Sequence, residues 1–148
     1  RFPLPGRGVG ARDFTRMIAA TYLGGLCVDL VKLSVARVRP RAADLAGAVS
    51  WFGTFGDGAV AAANPRMTDL MSFPSGHSAV AAGLAAALTW RYPQGWPLFA
   101  CLAVATAIQR VISSAHYPSD TACGAAIGLL AAAACLGGRA MDRPAGSC

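Results

Sequence analysis

Charge is what this sequence has least of. Only 14% of its 148 residues are Asp, Glu, Lys or Arg, against about 25% in an ordinary soluble domain, so polar side chains are too few to coat a compact globule in water. It also lacks a basic tract. Thirteen Lys and Arg leave a net charge of +6, but they are scattered singly among apolar runs. That pattern argues against a nucleic-acid partner and fits charges that flank a membrane or bind an anion. Cysteine metal chemistry is missing as well. Cys27, Cys101, Cys123, Cys135 and Cys148 form no CxxC pair and have no His at zinc spacing. The first four lie in apolar stretches, where a free thiol packs as a small hydrophobe. Neither a metal site nor a cofactor is expected.

What the chain has in abundance is apolar sequence, with 55% hydrophobic residues and 17 Gly. Uncharged runs cover residues 17–28, 70–90, 92–109 and 121–138, which are 12, 21, 18 and 18 residues long. A membrane span needs about 20 residues to cross about 30 Å of hydrocarbon. The first run therefore spans only if Arg16 and Lys32 sit at opposite interfaces, with Asp29 inside or near the far one. Ala occurs 32 times, and Gly24, Gly25, Gly83, Gly124 and Gly128 fall within the runs. Small residues let helices approach closely in lipid. The expectation is one all-α domain over 1–148, an integral-membrane bundle of about four helices. The connections at 91–95 and 113–120 are short and make neighbouring helices antiparallel. A long segment, 37–73, joins the first two helices. Its Gly, Pro and clustered Trp51, Phe52 and Phe55 suit a lid or a lipid-contacting surface on the substrate side.

Three polar patterns interrupt this apolar background. Lys32 and Arg39-Pro40 put two cations about two helical turns apart, with Pro40 ending the helix, so both can reach a common anion. Alone, such residues are as readily explained by snorkelling to the interface. Pro74-Ser75-Gly76-His77 enters an apolar helix. A Ser-Gly turn there offers free N–H groups, a hydroxyl and the positive end of the helix dipole. The third pattern is Arg110, His116 and Asp120. With Pro118 in a first helical turn, His116 and Asp120 fall on one side of it. The carboxylate can then accept from one ring nitrogen and leave the other with its lone pair outward, as in an oriented nucleophile or base. Antiparallel topology brings all three patterns to one face of the bundle, with both His residues of the chain. Such a set can bind a phosphoryl group, attack it and protonate what leaves.

In order and internal spacing these three patterns resemble the signature motifs of the type 2 phosphatidic acid phosphatase superfamily, which also includes vanadium haloperoxidases. The match covers ten defined positions from Lys32 to Asp120. Gln109 departs from it, since the third motif usually has Ser before its Arg. Members commonly have six membrane helices, so four here suggests that two N-terminal ones are absent. The resemblance implies a metal-independent phosphatase working through a phosphohistidine. His116 would attack phosphorus, Asp120 would orient it, and His77 would protonate the leaving oxygen. Lys32, Arg39, Arg110, Ser75 and the N–H of Gly76 would hold the phosphate. The implied substrate is a lipid phosphomonoester or diphosphate, such as phosphatidic acid, phosphatidylglycerol phosphate or a polyprenyl phosphate. A haloperoxidase and a non-catalytic phospholipid-binding protein are the alternatives. Setting aside three site-face cations as phosphate ligands leaves a seven-to-three bias of Lys and Arg towards the opposite face. By the positive-inside rule the site then faces away from the cytoplasm, as in a protein of the cell's inner membrane.

Overall fold

A computed structural model describes residues 10–43, 51–56, 59 and 66–137. Four long helices dominate it: α1 (Ala11–Lys32), α2 (Gly76–Arg91), α3 (Trp96–Ile112) and α4 (Pro118–Leu136). The all-helical membrane architecture expected from the sequence is therefore present. The chain is an integral membrane protein in which α1, α4 and the stretch Pro93–Ile112 are long and apolar enough to cross a membrane.

The exception is α2. Its apolar run starts at residue 70, but the helix has 16 residues and rises about 24 Å at 1.5 Å per residue. The six residues before it are spent otherwise. Leu70 and Ser72 hydrogen-bond Arg37, and Ser75 caps the helix by accepting from the Ser78 N–H. Four span-length helices were expected; the described residues contain three.

Register follows from close approaches. A Cβ on Gly83 would lie 2.4 Å from the Ala20 oxygen, one on Gly25 2.9 Å from Val80, and one on Gly76 3.5 Å from Lys32 Nζ. Ascending α1 against descending α2 makes the pair antiparallel. Against α4 the sense reverses, because Gly124 packs on Ser75 and Gly128 on Ala79, so α2 and α4 run parallel. At these two positions only glycine fits: a Cβ would sit 2.2 Å from the Ser75 oxygen and 2.1 Å from the Ala79 oxygen. Gly24 of α1 meets Gly128 from the other side. Backbones this close are what small residues achieve where lipid removes the usual hydrophobic drive.

The bundle has two unlike ends. At one, Ala20, Ala87, Ala132 and Leu136 form an apolar core flanked by Met17, Trp90 and Cys135. Arg16 closes that end by donating to the Cys135 carbonyl at 2.9 Å and lying over Trp90. At the other end polar side chains are buried among the apolar ones: Arg37, Ser72, Ser75, Ser78, His116 and Asp120. Outward-facing Phe14, Ile18, Tyr22, Leu26 and Leu30 form a four-residue-spaced stripe on α1, the surface expected of a helix in lipid. Helix α3 has no buried residue and leans chiefly on α2.

The segment between α1 and α2 was expected to be a lid or a lipid-contacting surface. Its described part makes several backbone contacts. Residues 36–39 run extended between two neighbours, with Val38 and Gly56 N–H groups donating to Thr54 and Ala36 carbonyls on one side. On the other, Arg37 and Arg39 donate to Leu70 and Asp69. Residues 44–50, 57, 58 and 60–65, which complete the expected substrate-side surface, lie outside the described residues, as do the side chains of Trp51 and Phe52.

Candidate active site

The polar end is built where α1 stops and α2 and α4 begin. Ser75 N–H donates to the Asp120 carbonyl at 3.0 Å, which ties the second sequence pattern to the third. Arg41 N–H donates to the Ser114 carbonyl at 3.2 Å and ties the first to the third. The turn after α3 is tight: Ser114 has φ +52°, and the Ala115 and His116 N–H groups both reach the Arg110 carbonyl. That geometry turns His116 inwards, where it is buried.

His116 Nδ1 lies 2.6 Å from the Ser72 carbonyl. A carbonyl only accepts, so Nδ1 carries the proton and Nε2 presents its lone pair. Asp120 Oδ2 is 3.8 Å from Nδ1, beyond hydrogen-bond range. This corrects the sequence-derived geometry, in which the carboxylate itself accepted from the ring: the direct acceptor is Ser72, and Asp120 acts on His116 as a nearby charge. Asp120 is wholly buried. Its Oδ2 accepts from Ser72 Oγ at 2.6 Å and from Tyr117 N–H at 2.9 Å, closing a capping box at the start of α4. Its Oδ1 is ion-paired with Arg37 Nη1.

His77 lies on the first turn of α2 and is exposed. Its pKa is held below the ordinary histidine value, first by partial burial and then by the positive fields of Arg110, His116, Lys32 and Arg39. Those four come from the first and third sequence patterns and His77 from the second, so the structure brings residues of all three to one end of the bundle. Lys32 Nζ stands beside the Cα of Gly76, is 3.6 Å from Asp29, and with Gly76 and His77 lines a cleft of about 490 Å³ that continues past Val80, Ala81 and Leu84. Burial and the neighbouring Arg41 push the Arg39 guanidinium below its usual pKa, and its buried Nε has no protein partner. Arg110 donates to Gln109 Oε1, so the residue that departs from the family pattern engages the adjacent cation. Ser75 Oγ accepts from both Ser78 N–H and Ser78 Oγ, which leaves its own hydroxyl proton as a donor. The first-turn N–H groups of Gly76 and His77 stand beside it.

Sequence reasoning missed Arg37 and Ser72. Arg37 was counted only as a cation on the site face, yet it is the largest fully buried side chain of the described residues. Pro40 was expected to end the first helix, whereas α1 ends at Lys32 and residues 36–39 run extended, so the side of the chain on which Arg37 lies was not readable. Nothing local distinguishes Ser72. Among the described residues no group of three or more His, Cys, Asp or Glu is disposed to hold a metal ion.

The chain is similar to known proteins over most of its length. The family model described as PAP2 superfamily matches residues 13–143. A lipid A 1-phosphatase of Rhizobium etli is 32% identical over 120 residues, covering 81% of this chain and 46% of the relative. One from Rhizobium johnstonii is 33% identical over 104 residues, 70% of this chain and 38% of the relative. A third, from Porphyromonas gingivalis, is 36% identical over 70 residues, 45% of this chain and 16% of the relative. The chain thus spans less than half the length of the curated relatives it matches. No solved structure is a significant match.

Proposed function

Because this chain belongs to the PAP2 superfamily, we propose that it carries the catalytic end of a membrane phosphatase that removes a phosphoryl group from a lipid through a phosphohistidine at His116. The observation behind this reading is the gathering of Lys32, Arg39, Arg110 and His116 around His77, beside a cleft that runs from polar to apolar. Three cations and two free N–H groups neutralise the oxygens of a phosphoryl group, which is most of what phosphoryl transfer asks of a protein. His116 Nε2 attacks phosphorus, the bond to the lipid oxygen breaks, and that oxygen takes the proton of His77. Water then gives a proton to His77 and attacks the phosphorylated ring, releasing phosphate and restoring the Nε2 lone pair.

The lowered pKa of His77 gives this scheme a switch. In the empty site partial burial and the cations Arg110, Lys32 and Arg39 favour the neutral ring. A bound phosphate dianion reverses that field, so the acid is charged when a substrate is there to use it.

For the substrate we favour a phosphomonoester on a lipid of the broad class represented by the relatives' lipid A, with phosphatidic acid, phosphatidylglycerol phosphate and polyprenyl phosphates as comparison compounds. The charge bias supports a site on the extracytoplasmic side of a bacterial-type inner membrane, although Arg1, Arg7, Arg139 and Arg143, which contribute to it, lie outside the described residues. The test is phosphate release from this panel by purified protein in detergent with a chelator. The wild type is expected to release phosphate, and His116→Ala to show none above background. Release that survives His116→Ala would overturn the mechanism. Peroxide-dependent bromide oxidation after vanadate loading, without phosphate release, would transfer the site to haloperoxidase chemistry.

A further inference from the structure

Arg37 takes no part in the scheme above, yet the fold spends much of its polar contact on it. Its Nε donates to Thr54 Oγ1 at 3.0 Å, and its Nη1 donates to Ser119 Oγ at 2.9 Å and to Asp120 Oδ1. The guanidinium lies 4.0 Å from the ring centre of Tyr117 and 4.5 Å from that of Phe55. A planar fork held this way fixes the carboxylate it grips in both position and direction. The connections then close on themselves. Asp120 Oδ2 accepts from Ser72 Oγ, the Ser72 N–H donates to the Arg37 carbonyl at 3.1 Å, and the Ser72 carbonyl accepts from His116 Nδ1. The imidazole therefore hangs from a ring of three residues whose keystone is Arg37.

We propose that Arg37 is a positioning residue for His116, acting through Asp120 and Ser72 to fix which ring nitrogen bears the proton and where the other points. The proposal rests on His116 being the nucleophile. Two effects follow from the geometry. Arg37 anchors Asp120, and Asp120 anchors the Ser72 peptide that orients the ring. Arg37 also balances the Asp120 charge from its far side. Unopposed, that carboxylate at 3.8 Å would favour the imidazolium, which has no lone pair with which to attack. The ionisable groups near His116 are Asp120 on α4 with Tyr117 at its cap, His77 on α2, and the site cations Lys32, Arg39 and Arg110, with Arg37 behind Asp120.

The experiment compares wild type, Arg37→Lys, Arg37→Met, Ser72→Ala and the neutral double variant Arg37→Met/Asp120→Asn, all as the purified full chain in detergent. The first readout is NMR of labelled histidine, which needs no turnover. In the wild type His116 is expected as the Nδ1–H tautomer at neutral pH. Arg37→Met should show a larger share of imidazolium than the wild type, and the double variant should reverse that change. The second readout is kinetic. Arg37→Met should lower kcat about 100-fold, the scale of a nucleophile misplaced by an ångström, with KM within about threefold because the phosphate-facing cations remain. Its acid limb should move up, the mark of a carboxylate left unopposed. Arg37→Lys should keep the acid limb but not kcat, and Ser72→Ala should lose about tenfold in kcat through the missing link to Asp120.

An unchanged tautomer and acid limb in Arg37→Met, with activity falling only in proportion to folded protein, would make Arg37 merely structural and overturn the proposal. If Arg37→Met does not fold, Arg37→Lys decides. Lowered kcat with KM and acid limb as in the wild type supports the proposal, and full activity refutes it. Failure of the phosphatase reading is separate, because it shows as wild-type turnover indifferent to His116→Ala and leaves the tautomer measurement standing.

Discussion

Gly124→Ala is the smallest change that should separate the two halves of the site. The added methyl group would lie 2.2 Å from the Ser75 oxygen, 3.0 Å from its carbonyl carbon and 3.2 Å from its nitrogen. All three are backbone atoms at the N-cap of α2, so no side chain can swing aside. Restoring a contact of about 3.3 Å requires α2 and α4 to part by about 1 Å here. That movement stretches the 3.0 Å hydrogen bond from Ser75 N–H to the Asp120 carbonyl and carries His77 away from His116. Forcing a methyl into so close a contact costs about 1–3 kcal/mol, and an ångström of misplacement about 100-fold in kcat. Phosphate release from a lipid phosphate in detergent, with thermal unfolding of the same sample, measures both. Gly137→Ala is the control, since a Cβ there meets nothing within 4 Å, and it should behave as wild type. Gly124→Ala retaining kcat within about threefold of wild type would refute the argument that this crossing sets the site's spacing.

Two further predictions concern His77. Its replacement by Ala should cost about 10²–10⁴-fold with a lipid alkoxide leaving group and far less with p-nitrophenyl phosphate, whose leaving group needs no proton. Equal losses on both substrates would remove His77 from the role of acid. By NMR the His77 ring should titrate below about 6.5, because partial burial and the surrounding cations disfavour its charged form. Arg110→Gln removes a like charge and should raise that value, as should bound vanadate, which adds an opposite one. A value at or above the ordinary one, indifferent to Arg110, would mean that the cations do not gather there.

Much of the site was legible because its parts are local. A helix start announced by Pro74 to Gly76, or by Pro118 with Asp120 in the first turn, follows from short-range chemistry, and antiparallel connections then bring the ends together. Close-packed Gly24, Gly83, Gly124 and Gly128 were likewise visible as small residues within apolar runs. What stayed hidden depends on distant partners. Arg37 reads as one more interfacial cation until Asp120, 83 positions on, takes it out of solvent. The acceptor for His116 is a backbone carbonyl, and every residue has one, so no side-chain pattern can advertise it. The apolar run ahead of α2 hides its use for a similar reason. Hydropathy counts residues 70–75 as apolar, but their backbone is needed to pair with the strand that carries Arg37.

The parallel packing of α2 and α4 sets two helix beginnings side by side, and they are not equivalent. Asp120 occupies the first turn of α4, where its negative charge cancels the backbone dipole locally. The first turn of α2 has no acidic residue, so its share of positive potential, about half a unit charge, is left unspent. That potential belongs to the main chain, and no change of side chain deletes it. Stripping Lys32, Arg39 and Arg110 together should therefore leave weak residual affinity for an oxyanion, a floor supplied by the peptide groups themselves.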